Sequence, residues 1–124
     1  MGEFEPRPLN AAELAVLDLL LAPDFPGVDA LRRQLSHVRV VGRCPCGCAT
    51  VDLDVERGSC PPAPGRGRPI PSEAEVLTDA GAPLGGIIVF LKDGYLSTLE
   101  IYSVGPEPIR IWPQLDRLRP TLTS

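Results

Sequence analysis

The sequence predicts an α+β domain in which two N-terminal helices pack on one face of an antiparallel sheet of four or five strands. Three observations predict this class. Amphipathic runs open the chain, a strictly alternating run follows at 51–56, and an Asp-Gly pair separates two β-rich runs near residue 93. With 124 residues, the chain is long enough to bury a core of its own, so we expect one domain over 1–124.

The first predicted element is a helix that begins at a capping box. Asn10 and Glu13 have the spacing in which each side chain accepts a hydrogen bond from the other residue's backbone. The run "AAELAVLDLLLA" follows with leucines on one helical face, and Pro23 ends it. A second short helix is predicted in "VDALRRQLS", where Val28 and Leu31 share a face.

Strands are predicted on both sides of the unusual stretch "RCPCGC". The run "HVRVV" precedes it, and "TVDLDVE" follows with valine and leucine alternating against acidic residues, which is typical of a strand with one wet face. The cysteines are therefore expected in the connection between antiparallel strands 38–43 and 50–56. Residues 57–72 have no period and are predicted to be a flexible loop that a protease cuts after Arg66 or Arg68.

The strongest hairpin signal comes later in the chain. "EAEVLTDA" is a plausible strand, and the runs "IIVFL" and "YLSTLEIYS" lie on either side of the Asp-Gly turn. Because "IIVFL" is apolar on both faces, it is expected at the centre of the sheet with helices covering one side. Trp112, in the proline-punctuated tail, is expected to pack back against the core.

Composition excludes several classes of function. The net charge of −4 argues against a protein that binds nucleic acid through bulk charge. The longest apolar run, "LAVLDLLLA", contains Asp18 and is far shorter than the roughly 20 residues that cross a bilayer. The N-terminus lacks the pattern of a secretory signal, so the cytoplasm is the expected compartment. Thiols there are reduced, and the four cysteines are not expected to form disulfides.

The cysteine stretch leaves three interpretations open. Cys44, Cys46, Cys48 and Cys60 supply the four thiolates of a structural zinc site, with His37 as a substitute for the last. Zinc modules, however, separate paired cysteines by two or more residues, so this turn must curl at Pro45 and Gly47 to bring the sulfurs together.

The favoured interpretation is an ordinary hairpin turn whose cysteines act as small, partly buried apolar residues. A bound metal ranks second. A redox site ranks third, because thioredoxin-like motifs place two residues between their cysteines and open a helix.

Glu100 marks a second candidate site. Alternation along "YLSTLEIYS" predicts two faces: Tyr95, Leu99 and Ile101 toward the core, and Leu96, Thr98, Glu100 and Tyr102 away from it. A carboxylate is costly to bury without a partner. We therefore expect Glu100 to be partly exposed beside Tyr102 and available to a basic group of a partner protein, unless Arg110 pairs with it.

An enzyme is not the favoured class. His37 is the single histidine, so any Cys–His or Ser–His dyad must use it, and nothing else in the sequence supports one. The basic segment "GRGRPIP" lacks interleaved aromatic residues, and a solvated loop is its default interpretation.

The stretch "GYLSTLEIYSVGPEPIRIWP", together with "CPCGC", resembles small uncharacterised actinobacterial proteins that share a hairpin, an LExYS strand and a proline-rich tail. The resemblance covers roughly residues 38–113. It implies a fold and no established activity. Small acidic proteins of similar build serve as immunity proteins, and this analogy favours a non-enzymatic protein-interaction module. The alternative hypothesis is a small zinc-binding domain.

Overall fold

The computed structural model describes residues 4–64 and 69–122 and has the predicted α+β class. Helices α1 and α2 span Ala11–Leu20 and Val28–Gln34. The antiparallel strands are β1 Arg7–Pro8, β2 Val38–Arg43, β3 Val51–Val55, β4 Ser72–Leu77, β5 Pro83–Lys92, β6 Tyr95–Ser103 and β7 Leu118–Leu122. Single 3-10 turns lie at Arg57–Ser59 and Leu115–Arg117.

The sheet consists of the β2–β3 hairpin and the β4–β5–β6 meander, joined at its middle, with β1 and β7 at its two edges. Its strand order is β1-β2-β3-β6-β5-β4-β7, so β6 is central and pairs with β3 on one side and β5 on the other. At the β5–β6 turn, Asp93 and Gly94 both have positive φ, 55° and 85°, which is the type I′ geometry that matches strand twist. The Asp-Gly hairpin prediction is confirmed.

The strand number and the helix packing differ from those predicted. The described residues form seven strands, not four or five, because short edge strands add to both sides: β1 pairs with β2, and β7 pairs with β4. The helices do not jointly cover the β5–β6 hairpin; α1 lies against β4 and α2 against β6. Each helix therefore covers its own part of the sheet.

A single apolar core lies between these elements. In β3, Val51, Leu53 and Val55 are buried while Asp52 and Asp54 are exposed, as the alternation predicts. The side chain of Gln34 is also fully buried at the end of α2. Its amide donates to the carbonyls of Pro61 and Gly94 and accepts from the backbone N–H of Leu96, so it ties the helix to the β5–β6 turn.

The predicted capping box is present, and it carries an ion pair that the sequence did not reveal. Asn10 Oδ1 accepts from the Glu13 N–H at 2.8 Å, and Glu13 Oε1 accepts from the Asn10 N–H at 2.9 Å. The carboxylate of Glu13, whose residue is 1% exposed, also receives two hydrogen bonds from the Arg7 guanidinium at 2.8 and 2.9 Å.

The Glu13 carboxylate is held in its charged form. Burial alone would raise the pKa of Glu13, but hydrogen bonds from Arg7, the Asn10 backbone and Trp112, together with the charge of Arg7, outweigh it. The pKa is lowered from its ordinary value. Trp112 is partly buried against the core, as expected, and lies close enough to this carboxylate to help lower its pKa.

A bulge in β6 changes which face its first residues occupy. Leu91 pairs with Leu96 but Phe90 pairs with Thr98, so Ser97 is an extra residue in β6. Strict alternation placed Leu96 on the face of Glu100. The extra residue reverses that order, and Leu96 is 1% exposed in the core beside Leu99.

The described parts of the 57–72 loop are anchored to the core. Ala63 and Ile70 are buried, and their N–H groups donate to the carbonyls of Gly94 and Val89. The predicted cleavage sites at Arg66 and Arg68 lie outside the described residues, and the flexibility of the loop stays a prediction. Within the described chain, neither helix is long and apolar enough to cross a membrane.

Candidate functional site

The cysteine turn, residues 44–50, connects β2 to β3, which confirms its predicted place between two antiparallel strands. Its first residue is held across the turn by a hydrogen bond from the Cys44 N–H to the Thr50 carbonyl, 3.2 Å. Inside it, the Gly47 N–H donates to the Cys44 carbonyl at 3.3 Å, and Gly47 has φ +94°. Glycine adopts that conformation without strain, so the turn curls instead of extending.

The curl brings the three sulfurs of the turn together. Cys44 Sγ lies 2.8 Å from Cys46 Sγ, and the Sγ atoms of Cys44, Cys46 and Cys48 all lie within 4.8 Å of one another. Three sulfurs on one tetrahedral zinc, at about 2.3 Å from the ion, are about 3.8 Å apart. A one-residue spacing separates the sulfurs only in an extended chain, and this turn is curled.

The Cys44 and Cys46 thiols shift each other's pKa in opposite directions. The hydrogen bond between Cys44 and Cys46 raises the pKa of Cys44 to about 11 and lowers the pKa of Cys46 to about 7. The Cys48 N–H, 3.4 Å from Cys46 Sγ, further favours the Cys46 thiolate. Cys46 is also the exposed member, while Cys44 and Cys48 are half-buried. The turn therefore presents one accessible thiolate near neutral pH.

Neither predicted fourth ligand joins the three sulfurs. Among the described residues, the metal-binding group consists of Cys44, Cys46 and Cys48 alone. Cys60 is buried beyond the far end of β3, where its Sγ contacts the Glu56 carbonyl at 3.7 Å. His37 precedes β2 at that same far end, and its Nδ1 lies 4.0 Å from Glu56 Oε1.

The tail of the chain and strand β6 also hold the turn in place. The Ala49 N–H donates to the Ile109 carbonyl at 2.8 Å, and Thr50 Oγ1 both accepts from the Ile101 N–H and donates to the Ile101 carbonyl. A Cβ added to Gly47 would lie 2.6 Å from Arg110 Nη1, so the guanidinium lies directly over the turn. None of these contacts follows from sequence spacing, because at least 51 residues separate the partners.

The cysteine turn and Glu100 line the same cavity. This cavity of about 370 Å³ has the three cysteines, Glu100, Tyr102, Ser103 and the tail residues Pro106 to Ile109 in its walls. The sequence alone predicts the thiols and Glu100 as two separate sites. The β3–β6 pairing, Val51 with Leu99, brings the end of the turn beside the second half of β6 and so joins them.

Glu100 itself is half-buried on the face predicted for it, with Thr98 and Tyr102. None of the ion pairs within 4–64 and 69–122 includes Glu100 or Arg110. Tyr102 is 43% exposed and lies over its cross-strand neighbour Gly86, where a Cβ would come within 2.3 Å of the phenol oxygen. The predicted partial exposure of Glu100 is confirmed.

The turn also lines a larger cavity of about 1050 Å³. Its walls include Arg43, Arg110 and Trp112 as well as the Arg7–Glu13 pair.

No family model, curated protein or solved structure matches this chain.

Proposed function

We propose that this protein is a small zinc-binding domain whose ligands are the thiolates of Cys44, Cys46 and Cys48. The observation that carries the proposal is the convergence of three sulfurs within 4.8 Å on one short turn. Thiolates are soft ligands that suit zinc, and three protein ligands leave the fourth tetrahedral position to water or another small donor. In this role the cysteine turn binds metal beside the Glu100 cavity, and no catalytic step is assigned to it.

The lowered pKa of Cys46 and the nearby charge of Arg110 support the same proposal. Metal binding requires deprotonated thiols, and the lowered pKa of Cys46 means that its proton is lost near neutral pH. The nearby Arg110 guanidinium offsets part of the negative charge that three thiolates bring to one ion. A reducing compartment, such as the cytoplasm, would keep the ligands in their thiol form.

A cobalt titration tests the proposal. Reduced, metal-free protein is titrated with Co²⁺, and the thiolate-to-cobalt charge-transfer absorption is followed before and after zinc is added in competition. We expect one equivalent of Co²⁺ to bind and zinc to displace it. Serine variants of Cys44, Cys46 and Cys48 should each lose most of the absorption, while the matched control Cys60→Ser keeps it. Absence of the band in the unaltered protein, or its loss in Cys60→Ser alone, would reject the proposal.

A second candidate function is a protein-interaction module of the immunity type that binds a basic partner. The observation favouring it is Glu100, a half-buried carboxylate without an ion pair among the described residues, next to exposed Tyr102. Leu84 and Val104, both exposed, continue the same end of the face, because the Val104 N–H bonds the Leu84 carbonyl. An acidic group with apolar neighbours is suited to a basic, partly apolar contact.

The interaction proposal is tested by substitution of Glu100. Glu100→Gln should change the unfolding free energy by no more than about 0.5 kcal/mol, as substitutions that break no buried ion pair usually do, while it weakens capture of a basic partner. Asp18→Asn, an exposed change on α1, is the control that should leave both unchanged. A loss of about 3 kcal/mol in Glu100→Gln would instead show a buried, paired carboxylate and remove this candidate.

A further inference from the structure

We propose that Cys44 and Cys46 form a thiol–disulfide couple that exchanges with low-molecular-weight disulfides, and that closing this couple expels the bound metal. The exchange reaction depends only on the two sulfurs. The expulsion of metal rests on the proposed zinc site, because the disulfide removes two of that site's three ligands.

The geometry of the turn prepares the pair for reaction. The two sulfurs are 2.8 Å apart, and a sulfur–sulfur bond of about 2.05 Å requires them to approach by only about 0.8 Å. The hydrogen bond from the Cys48 N–H to Cys46 Sγ and the Gly47-to-Cys44 backbone bond keep the turn in this curled form. Proximity of this kind replaces a bimolecular encounter by an intramolecular step.

Exposure assigns the roles of the two thiols. Cys46 is exposed and Cys44 half-buried, so an external disulfide reaches Cys46 first. The Cys46 thiolate attacks one sulfur of the external disulfide, a new S–S bond forms, and one external thiolate leaves. The Cys44 sulfur then attacks Cys46 Sγ, losing its proton, and the second external thiolate leaves. Two protein thiols are oxidised and one external disulfide is reduced to two thiols.

The product has the properties of a reversible modification. A disulfide across a single intervening residue, Pro45, closes a very small ring at the protein surface. Strained or exposed disulfides have the more oxidising potentials and are easily reduced again. Cys60, buried beyond the far end of β3, cannot reach this pair without rearrangement and stays a thiol.

The exchange is tested on reduced, metal-free protein incubated anaerobically with glutathione disulfide. Remaining thiols are then alkylated, and intact mass and peptide maps are recorded. We expect two of the four thiols to escape alkylation and the map to link Cys44 to Cys46. Cys48→Ser, which loses a metal ligand but keeps the pair, should form the same bond, whereas Cys44→Ser should stop at the mixed disulfide on Cys46. Four alkylated thiols, or a bond to Cys48, to Cys60 or to a second molecule, would overturn the proposal.

The expulsion of metal is measured separately on zinc-loaded protein with a chromogenic zinc chelator. Glutathione disulfide should release zinc in step with the loss of two free thiols, and a dithiol reductant should restore binding. If the protein never binds zinc but the Cys44–Cys46 bond forms, the zinc proposal fails and the exchange stands. If zinc binds and the bond forms while zinc is retained, the proposed expulsion of metal is wrong.

Discussion

The reactivity of Cys46 depends on its neighbour. Cys44 donates a hydrogen bond to the Cys46 sulfur, and this donation separates two chemically identical side chains into a thiol with a pKa of about 11 and a thiol with a pKa of about 7. As the pH rises through about 7, the exposed Cys46 sulfur therefore loses its proton first, while the half-buried Cys44 sulfur keeps its own.

This asymmetry predicts the pH profile of alkylation in the metal-free protein. The rate of iodoacetamide addition to Cys46, followed by peptide mass spectrometry, should rise with a midpoint near pH 7, because the thiolate is the nucleophile. Replacing Cys44 by Ala removes the donor, and the midpoint should move up toward about 8.5, the value of an ordinary thiol. An unchanged midpoint in Cys44→Ala would show that another group sets the pKa of Cys46.

Glu13 shows where a local sequence pattern stops being informative. The spacing of Asn10 and Glu13 predicted the capping box, because both partners belong to one helical turn. The bidentate ion pair with Arg7 and the approach of Trp112 depend on how β1 and the tail fold over α1. A cap normally lies at the surface, so nothing in the spacing indicated a buried carboxylate.

Glu13→Gln should lower the unfolding free energy by about 2 kcal/mol at pH 7, since it removes charge-assisted hydrogen bonds from a buried site. The folded-state pKa of Glu13 is lowered, so its stabilising effect is complete above the unfolded pKa of about 4.3 and is lost as the pH falls through the folded value. Urea titrations of both proteins at several pH values measure this. The exposed change Glu5→Gln is the control, and a constant difference at all pH values would contradict the assignment.

At the scale of elements, two adjacent glycines in β5 each leave no room for a side chain, but the atoms that fill the space differ. A Cβ on Gly85 would lie 1.9 Å from the backbone oxygen of Tyr102, so the β5–β6 ladder itself would have to open. A Cβ on Gly86 would instead meet the outer end of the Tyr102 side chain, which can turn away into solvent.

We therefore expect Gly85→Ala to lower the unfolding free energy by about 2–4 kcal/mol and Gly86→Ala to change it by no more than about 1 kcal/mol. The two variants differ by one position and carry the same added methyl group, so each controls for the other. Denaturant unfolding compares them. Equal losses would mean that the Tyr102 ring is fixed as rigidly as the strand backbone.

Elements with strong periodicity or special turn chemistry could be predicted, and irregular ones could not. In β3 and in the Asp-Gly turn, neighbouring residues are enough to determine the backbone conformation. Both predictions are confirmed. β1 has only two residues, and β7 buries Leu118 alone, so neither has a pattern to recognise. The extra residue Ser97 breaks alternation in β6 without any glycine or proline to signal it, and this placed Leu96 on the wrong face.

At the scale of the whole molecule, the candidate metal site is peripheral to the core. The apolar core runs from α1 and α2 across the inner face of the sheet, while the cysteine turn lies at one end of the β2–β3 hairpin. This separation distinguishes the protein from small zinc modules, in which the metal replaces a core and the metal-free chain is unfolded.

We expect removal of zinc by a chelator to leave the far-UV circular dichroism spectrum and the cooperativity of unfolding unchanged. Saturating zinc, at about 100 times its dissociation constant, should raise the unfolding free energy by about 2.7 kcal/mol, because it binds the folded turn. Thermal and urea unfolding with and without metal measure both effects. Loss of the folded spectrum in chelator would show that the metal is needed for the fold.

The combination of the thiols with Glu100 in one cavity could not be predicted, because it is a property of the sheet order. The cysteine turn leads directly into β3, and Glu100 lies on β6; these two strands are neighbours in space and far apart in the chain. Sequence patterns report on residues that are close together along the chain. They do not reveal which distant strands pair with each other in the folded sheet.

The pairing of β3 with β6 also has a consequence for the order of folding. The β2–β3 and β5–β6 hairpins each close a short turn, while joining them closes the chain from residue 56 to residue 94 and costs more entropy. Contacts of such long separation are slow to form, so we expect the seam between the hairpins to be completed late. The cavity that combines the cysteine turn with Glu100 spans this seam, and a small molecule that requires both walls would bind only chains that have finished folding.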